Sequence, residues 1–341
     1  MFDASNVPEQ RQPAGGQFNL GGMNASCDDD ALLFAFFRKH STALHLAWSC
    51  DGLRFSSLNA DASSTYGDRP VLRSVVGRRS IRDPYLGRDR SGGFVLLATN
   101  GETATSDILV HRSADLVHWS SGRLLNVLPG AHRTWAPQFL WLEERGAYLL
   151  YWSSSTRASR GVFSIYACWT DDFETITPSF PLFEPGHSVI DAELHRDEAT
   201  AQWMLFVKDE RGDNYDPRTP LKAVRRAEAP PHSGVVEGFA QPSRARSSLG
   251  PNLTPPRTEG PAVVEFPNPT GRRWLLFYDC FMQGQYGVRA SDDLRTWEPV
   301  FGSNCSDPGD RLRFPRRARH GSFLRIRPGE LAALRAAFST S

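Results

Sequence analysis

This chain of 341 residues reads as all-β, and within that class as a five-bladed β-propeller whose ring is closed by an inner strand from the C-terminal end. Three observations predict it. Five apolar, β-prone runs recur along the chain, each bounded by Gly, Ser, Asp or Asn. A short turn motif recurs in step with them. Five polar residues open short strands at near-even intervals.

The apolar runs are Leu32 to Phe37, Phe94 to Ala98, Tyr148 to Trp152, Trp203 to Val207 and Trp274 to Tyr278. Each fits the second strand of a unit of about four strands and about 60 residues, longer than the kelch-type period of roughly 50. No long helical periodicity competes with them until Pro328 to Ala337. The turn motif is Ser/Thr-x-Asp-apolar-x-x-aromatic. It appears at Ser49 to Phe55, Ser113 to Trp119, Thr170 to Ile176 and Ser291 to Trp297, at spacings of 64, 57 and 121 residues, the last about two periods. A short polar side chain caps the tight turn by bonding the backbone ahead, and the aromatic anchors the returning strand. Trp119 and Trp297 therefore read as core. A fifth copy belongs near Arg226 to Gly234, where Pro230-Pro231 overwrites it.

The order of elements also predicts how the ring closes. The first unit begins with its second strand at Ala31, whereas the last segment, from His320, supplies only an inner strand. One blade is then assembled from both ends of the chain, which removes two sheet edges. The expected organisation is a polar extension over 1–29, the propeller over 30–327 and a short helix or tail over 328–341.

Composition narrows the partners. With 39 basic and 38 acidic residues the net charge is +1, so no nucleic-acid partner is implied. The pairs Arg78-Arg79 and Arg316-Arg317 read as solvated surface. Five cysteines, an odd number without CxxC or CxxH spacing, argue against a disulfide framework and against zinc, and Cys168 and Cys280 read as small core residues. No stretch approaches the ~20 apolar residues of a membrane helix. The polar N-terminus lacks an apolar h-region, which reads as cytoplasmic for the chain as it stands and secreted if a leader has been removed. Residues 210–258, rich in Arg, Pro and Ser, lead into Glu259. They read either as a segment reaching the mouth of the ring or as a surface insertion.

The five strand-opening polar residues are Asp83, Gln138, Asp191, Glu259 and His320, at intervals of 55, 53, 68 and 61. Equivalent points of a radial repeat meet at one axis, so three carboxylates, an amide and an imidazole are expected together. In order, Arg82-Asp83-Pro84, Trp135-Ala136-Pro137, Ile190-Asp191, Glu259-Gly260-Pro261 and His320-Gly321-Ser322 resemble glycoside hydrolase family 43, over roughly residues 30–327. That family comprises five-bladed propellers acting on arabinose-, xylose- and some galactose-containing glycans. The resemblance implies Asp83 as general base, Glu259 as general acid and Asp191 as the third carboxylate. It places His320 beside an axial calcium or water cluster, with no cofactor required. Gln138 departs from the acidic residue that often follows Trp-Ala-Pro, which removes a charge from the axis.

The chemistry agrees with this reading. Glycoside hydrolysis needs one carboxyl holding a proton and one carboxylate activating water, and a separation of roughly 6.5–9.5 Å means inversion. Glu259 is expected to have its pKa pushed up by burial and by its two Asp neighbours. Trp135, then Tyr85, are the expected aromatic platforms for a sugar; Arg82 and Arg289 are expected to bond its hydroxyls, and Gln138 is expected among the substrate contacts. An oligosaccharide or polysaccharide is the expected partner, and an exo-acting arabinofuranosidase or xylosidase the expected activity. The alternatives are a silent carbohydrate-binding propeller, a protein-interaction propeller, and a fructan-cleaving hydrolase. The last would need an Asn-Asp-Pro-type run, which Asn24 to Asp28 lacks.

Overall fold

The structure is a computed structural model describing residues 27, 29–213, 215–216, 222–240, 249–301 and 311–338. The polar N-terminal extension, apart from residues 27 and 29, lies outside the described residues. Blade 1 holds β1 (Ala31–Arg38), β2 (Ser41–Ser49) and β3 (Ser56–Ser57). Blade 2 holds β4 (Arg82–Arg88), β5 (Phe94–Thr99), β6 (Asp107–Ser113) and β7 (Arg123–Asn126). Blade 3 runs through β8 (Ala131–Leu142), β9 (Ala147–Thr156), β10 (Ser164–Thr170) and β11 (Phe180–Phe183). Blade 4 has β12 (Val189–Asp197), β13 (Gln202–Asp209) and β14 (Ala223–Glu228), followed by the short helix α1 (Val235–Phe239). Blade 5 has β15 (Glu259–Glu265), β16 (Trp274–Cys280), β17 (Gln285–Ser291) and β18 (Glu298–Pro299); β19 (Arg319–Ile326) and helix α2 (Pro328–Phe338) end the chain.

The ring closes as the sequence predicts. β19 pairs antiparallel with β1, from Ala31 opposite Ile326 to Phe37 opposite Arg319, giving blade 1 the order β19-β1-β2-β3. Phe323 on β19 stacks on Phe34 of its own blade at 4.5 Å and on Phe277 of blade 5 at 3.9 Å. The strand is thus pinned to the first and last blades together. Gly321 is required there, because a Cβ would lie 2.0 Å from the Ala35 carbonyl oxygen.

All five apolar runs fall on the second strand of a blade and are buried on both faces, since each blade packs between two others. The turn motif forms as read. One carboxylate oxygen of each of Asp51, Asp115, Asp172 and Asp293 accepts two successive backbone N–H groups. Blade 4 departs from the four-strand pattern: where the fifth turn is missing, Pro230-Pro231 leads into α1, whose Phe239 packs on Phe183 of blade 3. The 210–258 stretch is accordingly no simple insertion, because it contains β14.

The cysteine reading needs correction. Cys27 and Cys50 form a disulfide tying the segment before β1 to the first Asp turn, and Cys280 is disulfide-bonded as well. An odd total excludes only a framework that uses every cysteine. Cys168 is free and buried, as expected. Among the described residues no helix is long and apolar enough to cross a membrane.

Candidate functional site

Every inner strand carries the same irregularity. Between Arg82 and Tyr85, Trp135 and Gln138, Ile190 and Glu193, and Glu259 and Ala262, two residues oppose one on the second strand. β19 does the same against β1 between Arg319 and Ser322. These are β-bulges, which re-aim side chains at the rims of closed sheets. The first bulged residue is left-handed in four blades: Asp83 (φ 47°), Ala136 (48°), Asp191 (58°) and Gly260 (57°). Asp tolerates this conformation because its short polar side chain bonds locally. Gly260 has a second reason, since a Cβ there would lie 2.6 Å from the His320 ring. Gly260→Ala is expected to cost about 1–3 kcal/mol, read as a lower melting temperature.

The bulges set the true phase of the repeat. Asp83, Ala136, Asp191, Gly260 and His320 form one series, and Arg82, Trp135, Ile190, Glu259 and Arg319 form the series just before it. Gln138 is therefore two residues out of phase and Glu259 one.

A bulge leaves backbone N–H groups unpaired, and buried ones must find partners. The preceding blade supplies them from the end of its second strand. Thr99 accepts from Ala136 N–H at 2.8 Å, Ser153 from Asp191 N–H at 2.9 Å, and Asp279 from His320 N–H at 3.0 Å. At the same position Lys208 reaches Glu259, and Phe37 lies under the Arg82 guanidinium at 4.7 Å. Thr99 also donates to Asp83 Oδ2 at 2.7 Å. Each blade thus fixes the site residue of the next.

These residues open onto one cavity of about 290 Å³, lined by Asp83, Asp191, Glu259, His320, Arg82 and Trp135 together with Glu102, Arg133 and Ile190. His320 Nδ1 lies 3.6 Å from Asp83 Oδ1 and 3.7 Å from Asp191 Oδ2. Burial disfavours its imidazolium, but Asp191 and Asp83 outweigh that and raise its pKa. Asp191 Oδ2 also accepts the Gly260 N–H at 3.1 Å. Burial pushes the Asp191 carboxyl up to about 6, against the pull of His320 and with help from the Glu259 charge.

Glu259 behaves opposite to expectation. Burial would raise it, but Lys208 and Arg319 prevail and bring its carboxyl down to about 2. Lys208 Nζ donates to Oε2 and Arg319 Nη2 to Oε1, both at 2.7 Å, so both oxygens already accept an N–H from a cation. The clamp extends on both sides. Lys208 pairs with Glu210 at 2.7 Å, and Arg319 with the buried Asp279 at 2.6 Å.

Three expected contacts do not reach the cavity. Tyr85 is turned between blades 2 and 3, where its hydroxyl donates to the Phe139 carbonyl and burial raises its pKa. Arg289 lies on β17 and donates to the Trp297 carbonyl at 3.1 Å. Gln138 Oε1 accepts from the buried Tyr151 hydroxyl at 2.8 Å. The Gln138 side-chain oxygen is thereby spent inside blade 3 and is not offered to the axis. Among the described residues no group of three His, Cys, Asp or Glu side chains is arranged to hold a metal. Trp135 does line the cavity, backed by Phe163 at 4.7 Å, and Arg82 lines it while pairing with Glu102 at 2.7 Å. Lys208, Asp279 and Arg319 were not expected. The available signal was that Thr99, Ser153, Lys208 and Asp279 each follow an apolar run at one phase.

A family model described as a probable glycosyl hydrolase domain, related to glycoside hydrolase family 43, matches residues 29–332. Among solved structures, a family 93 α-L-arabinofuranosidase of Fusarium graminearum in complex with arabinobiose is 13% identical over 81% of this chain and 79% of that one, with a TM-score of 0.50. A thermostable family-43 glycoside hydrolase is 17% identical over 65% and 72%, TM-score 0.49. A Penicillium chrysogenum α-L-arabinanase complexed with arabinobiose is 16% identical over 88% and 90%, TM-score 0.48. No curated protein sequence matches.

Proposed function

The chain belongs to the family of probable glycosyl hydrolase domains related to glycoside hydrolase family 43, and from that premise we propose that it removes terminal arabinofuranosyl, xylosyl or galactofuranosyl residues from a glycan, with inversion. The observation that carries this reading is the convergence of Asp83, Asp191 and Glu259, from three blades, on one cavity. At about 290 Å³ it lies at the small end of ligand pockets, which suits a single terminal sugar more than a long chain threaded through. Trp135 lines the cavity with Phe163 stacked on its ring at 4.7 Å and the Arg133 guanidinium over the ring at 5.1 Å, and Arg82 and Arg133 offer hydroxyl donors. Hydrolysis of 4-nitrophenyl α-L-arabinofuranoside, β-D-xyloside and β-D-galactofuranoside tests the reading. NMR of the first-formed anomer tests inversion. Cleavage of none of them would leave a carbohydrate-binding propeller.

Asp83 is the base in this proposal, held by Thr99 and facing His320. The transferable proton belongs to the Asp191–Glu259 pair, whose titration is a property of both groups. Its resting place is Asp191, because both Glu259 oxygens are occupied by Lys208 and Arg319. Glu259, still ionised, raises Asp191, the reverse of the arrangement expected from sequence. Delivery from Glu259 itself would require one of those cations to release an oxygen.

The sign of the pH dependence follows. A raised carboxyl carries its proton below its pKa and loses it as pH rises, so the alkaline limb of kcat is expected near pH 6. Asp191→Asn should abolish that limb along with most activity on natural glycosides. An unchanged limb in Asp191→Asn would remove Asp191 from the pair.

A further inference from the structure

A second cavity of about 170 Å³ opens beside the first, between blades 1 and 5. The turn joining β1 to β2 contributes Lys39 and His40, the turn joining β16 to β17 contributes Phe281 and Met282, and the approach to β19 contributes Arg317. Strand register puts both turns at the site end of the ring, since Phe37 pairs with Arg319 and Asp279 with Glu259. Arg319 lines this second cavity and bonds Glu259, which lines the first.

Charge in this cavity is one-sided. None of its lining residues is acidic. Two of its cations are spent: the buried Arg38 on Asp68, at 2.5 and 2.7 Å, and the half-buried Arg319 on Glu259 and Asp279. Lys39, His40 and Arg317 are exposed and enter no ion pair among the described residues. Half-buried Tyr66 and Phe281 each carry a cation over one ring face, Arg38 at 5.1 Å and Lys208 at 4.7 Å, and supply the opposite face, the surface on which a sugar's C–H face rests. An adjoining cavity of about 370 Å³ shares Arg317 and adds Arg313 and Arg316, so the cationic lining continues outward along the seam. Compensated cations on the Glu259 side and uncompensated ones on the outer side would hold an anion without drawing it onto the reacting carboxylates.

We propose that this second cavity is a subsite for an anionic sugar, one carrying a carboxylate or a sulfate, on the same glycan whose terminal residue occupies the first cavity. The inference rests on the glycosidase reading and narrows it to acidic glycans. Arg317 forks onto two oxygens of the anion, Lys39 adds a point charge, and Tyr66 or Phe281 stacks on the ring. The near-zero net charge of the whole chain makes this a local preference, so it should fade as salt screens exposed charges.

The test measures binding and does not depend on turnover. Arabino-, xylo- and galacto-trisaccharides are each reduced to the neutral alditol or oxidised to the aldonate, so that members of a pair differ in charge at one end. A singly O-sulfated trisaccharide forms the third arm. Calorimetry at low salt should show the anionic member of the tightest-binding series binding about tenfold more strongly than its neutral partner, the scale of two or three exposed charge contacts. Lys39→Gln with Arg317→Gln should bring that ratio close to one, with an unchanged melting temperature certifying the fold. Preference for aldonate over sulfate, or the reverse, identifies the source of the charge. A wild-type ratio near one overturns the proposal, as does a tenfold ratio that survives the double substitution. Failure of the glycosidase reading would show separately, as no cleavage of the neutral nitrophenyl glycosides.

Discussion

Asp83→Asn should lose activity on every glycoside, whatever its leaving group, by about 10²–10⁴ in kcat, the usual contribution of a positioned general base. Asparagine suits this test because it tolerates the left-handed bulge and can still accept the Thr99 hydroxyl, so loss of activity is not loss of fold. The contrast with the acid side is diagnostic. Removing a proton donor is fatal for a natural glycoside, whose alkoxide leaves only when protonated. A nitrophenolate departs without that help. Whichever of Asp191→Asn and Glu259→Gln keeps the larger share of nitrophenyl activity relative to natural substrate is the residue that delivers the proton. Wild-type rates for Asp83→Asn on the nitrophenyl substrate would refute the assignment of the base.

Deleting everything after Arg317 should abolish cooperative folding altogether. The deletion strips β19 from blade 1 and exposes the edge of β1. It also removes Phe323 from between Phe34 and Phe277, where it joins the first blade to the last. The same cut takes away Arg319 and His320, leaving Lys208 as the one cation of the clamp on Glu259. Heat or denaturant should then give a broad, non-cooperative transition with much of the near-ultraviolet signal already lost. A truncated chain melting sharply at the full-length midpoint would show that β19 does not close the ring.

The ring and its closure are legible in the sequence because they rest on local signals. Buried second strands must be continuous apolar runs, and Asp-capped turns need a short acceptor at a fixed offset, as Asp51, Asp115, Asp172 and Asp293 show. Asp83, Asp191 and His320 are legible because they occupy one bulge series. Gln138 is not a member, since the motif counts residues and the bulge shifts the register within it. The clamp on Glu259 escapes sequence reading because Lys208 and Arg319 belong to other blades, and only the turn of the ring sets them within 2.7 Å of it. Tyr85 and Arg289 mislead for a related reason: an aromatic or an arginine near a strand start faces either the axis or the next blade, and alternation decides which. Cys27 and Cys50 lie 23 residues apart with no motif between them, so their pairing is visible only in space.

The repeated bulge gives this molecule an addressing system for evolution and for the engineer. Five blades each offer two positions at the axis, and the backbone at Ala136, Asp191, Gly260 and His320 is held by a side chain of the blade before it. Where the group that holds the backbone lies outside the two series, as Thr99 does for Ala136, identity can change at one address without moving the others. Ala136 and Ile190 are the quiet addresses in this chain: one carries a methyl group where its counterparts carry Asp83 and Asp191, the other an aliphatic side chain where its counterpart is Glu259. New specificity, or a new charge, can be written there first.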